Sequence, residues 1–194
     1  MTETDIQSVL MIAALVAVPL GLLIFIIRRR MARGVESQLR GISQHVLHDF
    51  LLPDGNGGEI HLEYAMLTTE GILVIDTKDV EGNVFGSDAM DEWTVIDDNT
   101  RFTFRNPQRG LLDRVAAVKA LAPDVPVNGY IAFSERGRFS KGQPSNVVFF
   151  NSLIVELKDS MPEQSARVLE AFLPAWDKLV SLATVKGVDQ ALKL

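Results

Sequence analysis

From Val9 to Ile27 the chain reads VLMIAALVAVPLGLLIFII, nineteen residues without a charge or a strongly polar side chain. At a helical rise of 1.5 Å per residue this run covers roughly 28 Å, close to the hydrocarbon core of a bilayer. Such a run can be a membrane span, a cleaved signal peptide or a buried helix. Core helices keep one polar face, and this one has none. A signal peptide carries its basic residues in front and small residues behind. Here the order is inverted, with Glu3 and Asp5 ahead and Arg28, Arg29, Arg30 and Arg33 after. Pro19 and Gly21 are tolerated in membrane helices better than in soluble ones. Basic flanks stay on the cytoplasmic side. The expectation is a single-pass protein of a bacterial inner membrane. Residues 1–8 lie outside, 9–27 span the lipid bilayer and 28–35 form a basic juxtamembrane segment. The remainder faces the cytoplasm.

Charge narrows what that remainder can do. Four of the nineteen Lys and Arg and two of the twenty-five Asp and Glu precede Gly34, so the rest of the chain carries −8. A part that acidic does not hold nucleic acid by bulk charge; a local basic surface is needed. There is no cysteine, which excludes disulfides and thiolate metal sites. The length suits one domain with one core.

Hydrophobic periodicity then divides the soluble part. Val35, Leu39 and Ile42 recur at helical spacing. Val46–Leu52 and Glu59–Leu67 read as strands around the turn-forming PDGNGG, and Ile72–Asp76 reads as a short buried strand after the turn at Thr68–Gly71. The pieces GNVFG, EWTVI and RFTFR predict a meander ending at Asn106-Pro107. Gln108–Leu121 is helical, with Leu111, Leu112, Val115, Val118 and Leu121 on one side, and Val127–Phe133 and Asn146–Phe150 are further strands. Pro162 opens a last helix carrying Val168, Leu169, Phe172, Leu173 and Trp176, which Pro174 should kink or split. This order predicts a mixed α/β domain with helices packed on a central sheet.

Chemistry concentrates around Gly71. Glu63 lies on the strand before it, and Asp76 and Lys78 lie on the strand after it. Residues two apart in a strand share a face, so Asp76 and Lys78 project together, and a tight hairpin sets Glu63 beside them. Two carboxylates can hold a hard divalent cation, which activates water, while a lysine offsets charge developing on a phosphate. D-x-K alone is a chance pattern, and a surface ion-pair cluster is its bland explanation.

The surrounding segments give it weight. HVLHDFLLPDGNGG, a strand, TTEGILVIDTK, GNVFG, a Trp, RNP and a helix follow in the order of the nuclease-related domain, which this sequence resembles from about Glu36 to Phe150. The resemblance implies a restriction-endonuclease-like fold of the PD-(D/E)XK group, with a domain at 36–160 and a helical segment at 161–194. The family's second strand carries Asp-His and its third ends Glu-x-Lys. Counting from Gly71, these positions are Glu63, Tyr64, Asp76 and Lys78, and an early helix glutamate corresponds to Glu36. The resemblance thus implies catalytic roles for Glu63, Asp76, Lys78 and Glu36, with Mg²⁺ held by Glu63 and Asp76. Two features depart from it. The carboxylate types are exchanged at 63 and 76, and Gly110 and Arg114 stand where the family often has Gln and His. Two functions stay open: Mg²⁺-dependent cleavage of DNA or RNA, or a non-catalytic, membrane-tethered module binding nucleic acid or protein.

Two basic groups are candidate phosphate contacts. One is the loop SERGRFSK, with Arg136, Arg138 and Lys141 around Phe139. The other is Arg101, Arg105, Arg109 and Arg114. A solvated basic surface explains either equally well. His45, His48 and His61 lack zinc-motif spacing, and Trp93 and Trp176 are expected in the core.

Overall fold

The computed structural model describes residues 34–55, 57–98, 100–161 and 166–185. The apolar run Val9–Ile27 and Pro162 lie outside them. No helix among the described residues is long and apolar enough to cross a membrane. The chain divides into two compact units, Met1–Gln38 and Leu39–Leu194. Residues 34–40 are helical (α1), and the first unit ends within this helix.

The second unit is built on two sheets. Among its described residues are ten strands: β1 (Val46–Pro53), β2 (Glu59–Thr68), β3 (Gly71–Lys78), β4 (Gly82–Phe85), β5 (Glu92–Ile96), β6 (Arg101–Arg105), β7 (Val127–Phe133), β8 (Gly137–Arg138), β9 (Val147–Phe149) and β10 (Thr184–Val185). Three helices join them: α2 (Pro107–Leu121), α3 (Phe150–Ser160) and α4 (Ala166–Leu182). The larger sheet has the order β10-β1-β2-β3-β7-β9 and the smaller β6-β5-β4-β8. In the larger sheet β1, β2 and β3 pair antiparallel, while β3, β7 and β9 run parallel. β3 therefore lies between the antiparallel and parallel halves. Its sequence GILVIDTK is buried from Gly71 to Asp76, as a central strand covered on both faces requires.

Helices cover both faces of this sheet. A Cβ on Gly129 of β7 would meet Val115 and Leu111, so α2 lies tight against this strand. Trp176 and Leu179 of α4 enter the same core as Leu111 and Val118 of α2. On the opposite face Leu153 and Leu157 of α3 gather beside Leu73 and Tyr130. The smaller sheet is locked on by aromatic rings. Trp93 of β5 is fully buried and stacks on Phe133 of β7, with Phe104 and Phe139 at its edges.

Several sequence expectations are corrected. The expected meander forms, as β4, β5 and β6 paired in sequence, but with β8 it makes a second sheet distinct from the central one. The strand expected at Asn146–Phe150 shrinks to Val147–Phe149, because Phe150 begins a helix that the sequence reading missed. α4 runs through Pro174 without splitting. The expected C-terminal helical segment also returns to the sheet, where Thr184 and Val185 pair with Leu51 and Phe50 of β1.

Candidate active-site cleft

The hairpin ladder between β2 and β3 runs from Thr68 opposite Gly71 to Tyr64 opposite Ile75, and stops there. Glu63 and Asp76 are the next residues on each strand. The ladder between β1 and β2 skips the same place: His48 pairs with Tyr64 and Phe50 with Leu62, while Asp49, at φ 52°, is passed over. Glu63 thus sits at a break in both ladders, and its carboxylate substitutes for the missing backbone partner. Oε2 accepts the Thr77 amide at 2.7 Å, and Oε1 accepts the Thr77 hydroxyl. Asp49 turns its own carboxylate onto His61 Nε2 at 2.6 Å.

Asp76 is 5% exposed. Its Oδ2 accepts from Arg114 Nη1 at 2.9 Å, and its Oδ1 is buried with no hydrogen-bond partner among the described residues. Burial pushes the Asp76 pKa above the ordinary carboxylate value, against the opposing pull of Arg114, Lys78 and His61. Arg114 is itself held from a second side, donating Nε to the His61 carbonyl at 2.7 Å.

Local sequence explains how Arg114 arrives there. Asn106 caps α2 by accepting from the Gln108 amide at 2.9 Å, and Pro107 occupies the first helical position. The cap is anchored in turn, because Asn106 Nδ2 donates to the Met90 carbonyl at 2.8 Å. Two turns on, Arg114 reaches back toward β3. Gly110, one turn before it, leaves room: a Cβ there would lie 2.9 Å from Arg114 Nη1.

Asp76, Lys78 and Arg114 line a cleft of about 950 Å³ between β3, the start of α2 and the ends of β5 and β6. Its charged lining is Lys78, Arg105, Arg109 and Arg114 against Asp76, Asp91 and Glu92, one positive charge in excess. Arg109 pairs with Asp91. Lys78 and Arg105 form no ion pair among the described residues.

The family model of the nuclease-related domain matches residues 28–134, more than half of the chain. The chain belongs to the nuclease-related domain family. An uncharacterized protein of Bacillus anthracis is 22% identical over 129 residues, 64% of this chain and 61% of that protein. The chain thus spans less than two thirds of that relative's length. No solved structure matches. The match to the nuclease-related domain includes Glu36, Glu63, Asp76, Lys78 and Arg114 and ends before Arg136.

Domains of this kind are typically metal-dependent. The side chains here do not fit a divalent ion. Both oxygens of Glu63 are taken by Thr77, and Arg114 holds one of the two on Asp76. Among the described residues no three His, Cys, Asp or Glu converge on one point. A guanidinium on Asp76 also repels a second cation at close range. Glu36, expected as a third acid, is a half-buried residue of the other compact unit. Glu63 and Asp76, expected as joint metal ligands, are neighbours with separate partners.

Two members of the loop expected to grip phosphate, Arg136 and Phe139, are otherwise engaged. Arg136 pairs with Asp79 at 2.5 Å and Glu81 at 3.3 Å. The Phe139 ring meets Phe133 edge-on at 5.0 Å and also packs on Trp93 and Phe149, so its partly buried ring rests against the core. Arg138, in β8, and Lys141 remain exposed. The sequence reading missed Thr77, the Asp49–His61 pair and the contact of Arg114 with Asp76. Arg114 itself was named there, in a candidate phosphate patch and as a basic residue standing where the family often has histidine.

Proposed function

We propose that this nuclease-related domain holds the phosphodiester backbone of nucleic acid in the Asp76 cleft without cutting it, tethered to the inner face of a membrane by Val9–Ile27. The observation that carries this reading is the Asp76–Arg114 pair, which commits the central carboxylate to a cation of the protein itself. The excess positive charge of the cleft, on a part of the chain carrying −8, supports phosphate as the ligand. The apolar run and its arginine flank support the tether and its orientation.

The test uses the full chain in detergent with labelled DNA and RNA strands, followed by fluorescence anisotropy. Affinity should fall with salt. Lys78→Ala and Arg105→Ala should each weaken binding and lower the salt slope by about 1. The strands should remain uncut in Mg²⁺ or Mn²⁺. The competing reading is a metal-dependent hydrolase, which would need Glu63 and Asp76 to give up Thr77 and Arg114 and to use the Asp76 Oδ1 that has no partner among the described residues. Chelator-sensitive cleavage that Asp76→Ala abolishes would put that reading in place of the first.

A further inference from the structure

We propose that Arg114 is the resident cation of this cleft, holding a bound phosphodiester at the place where a divalent ion would otherwise sit beside Asp76. The inference rests on the reading of the cleft as a phosphate site and adds that this binding needs no metal.

The guanidinium is a built feature. Two different donors anchor it, Nη1 on Asp76 and Nε on the His61 carbonyl. The missing side chain at Gly110 makes the space it fills. About a quarter of the Arg114 side chain stays exposed, against 7% for Asp76, and Arg114 lines the cleft. Arginine has five N–H donors in a rigid fork and keeps its charge at any working pH. Two of those donors serve the protein, and the remaining ones are available to a phosphate oxygen. Asp76 acts here as an orienting group: it holds the guanidinium in place and offsets part of its charge. A metal-ligand role gives Asp76 the opposite effect on binding, and that difference decides the question.

The experiment measures the affinity of the full chain for a fluorescein-labelled single-stranded oligothymidylate, in EDTA and in Mg²⁺. Wild type should bind equally in both. Arg114→Gln should lose about tenfold or more in EDTA, the size of effect expected for a lost charge-assisted hydrogen bond. It should recover in part when Mg²⁺ is added, because the emptied place then leaves the Asp76 carboxylate and a substrate phosphate to share an ion. Asp76→Asn replaces a buried carboxylate by a neutral group of the same shape, and it should bind more tightly than wild type in EDTA. Weaker binding by Asp76→Asn, or wild-type binding that appears only with Mg²⁺, overturns the inference and leaves the phosphate cleft standing. No binding by wild type in either condition overturns both. Should Arg114→Gln fail to fold, as its thermal melt would show, Asp76→Asn decides alone.

Discussion

Gly71 closes the β2–β3 hairpin at φ 117°, a region that L-residues with a side chain rarely enter. A Cβ there would lie 2.1 Å from the Pro126 carbonyl oxygen, which accepts the Ile72 amide at 2.9 Å. Gly71→Ala should therefore cost about 1–3 kcal/mol from the backbone alone, and more from the contact. Denaturant unfolding followed by tryptophan fluorescence would measure it. Asp88 makes a second point at this scale. Its carboxylate accepts from the Ser145 hydroxyl at 2.6 Å, the Gln108 amide at 2.7 Å and the Ser145 backbone at 2.9 Å, and these bonds hold its pKa below the ordinary 3.8. A lowered carboxylate pKa stabilises the fold above the unfolded value, and that stabilisation is lost as pH falls through the folded one. Asp88→Ala should melt earlier than wild type at pH 7, with the gap closing below pH 3.8. A gap of the same size at acid pH would show that charge plays no part. Gly71 and the Asp76-x-Lys78 pair were legible in the sequence, since turn chemistry and strand alternation act over a few residues. The Asp76–Arg114 contact spans 38 positions and depends on how α2 docks, which no local pattern records.

At the scale of elements, periodicity found the long strands and α2 but missed α3. Phe150, Leu153, Ile154 and Leu157 are buried at helical spacing, but the apolar run NVVFF before them reads as one continuous strand. β8 and β10 have two residues each, too few for any pattern to show, and both exist because tertiary pairing creates them. The division into two sheets was hidden for a related reason: alternation within β4, β5 and β6 is the same whichever sheet they join. Trp93 packs the smaller sheet on the larger, at 6.3 Å from the Phe133 ring. Trp93→Ala should cost about 3–5 kcal/mol, the usual range for a large core deletion. Because β5 and β6 supply one wall of the cleft, the same change should weaken oligonucleotide binding although Trp93 does not line it. Stability loss with unchanged binding would mean that the wall is held by other contacts.

For the whole molecule, the proposed tether and its orientation rest on the opposite charges flanking Val9–Ile27. Protease added to sealed, right-side-out cells should leave the soluble part intact, and digestion from outside would reverse the topology proposed here. The mixed sheet has a consequence of another kind, in time. β1, β2 and β3 follow one another closely, and Tyr64 meets Ile75 across only ten intervening residues. Asp76 meets Ile131 in the parallel half, with more than fifty residues, three strands of the second sheet and a helix intervening. Local pairings close early and distant ones late, because loop closure must precede their reward. Glu63 can thus settle on Thr77 while the chain is still mostly open, whereas Asp76 waits for β7 and α2 to dock. On this reasoning the cleft should be among the last places to take shape during folding, with the Asp76 carboxylate in water until then.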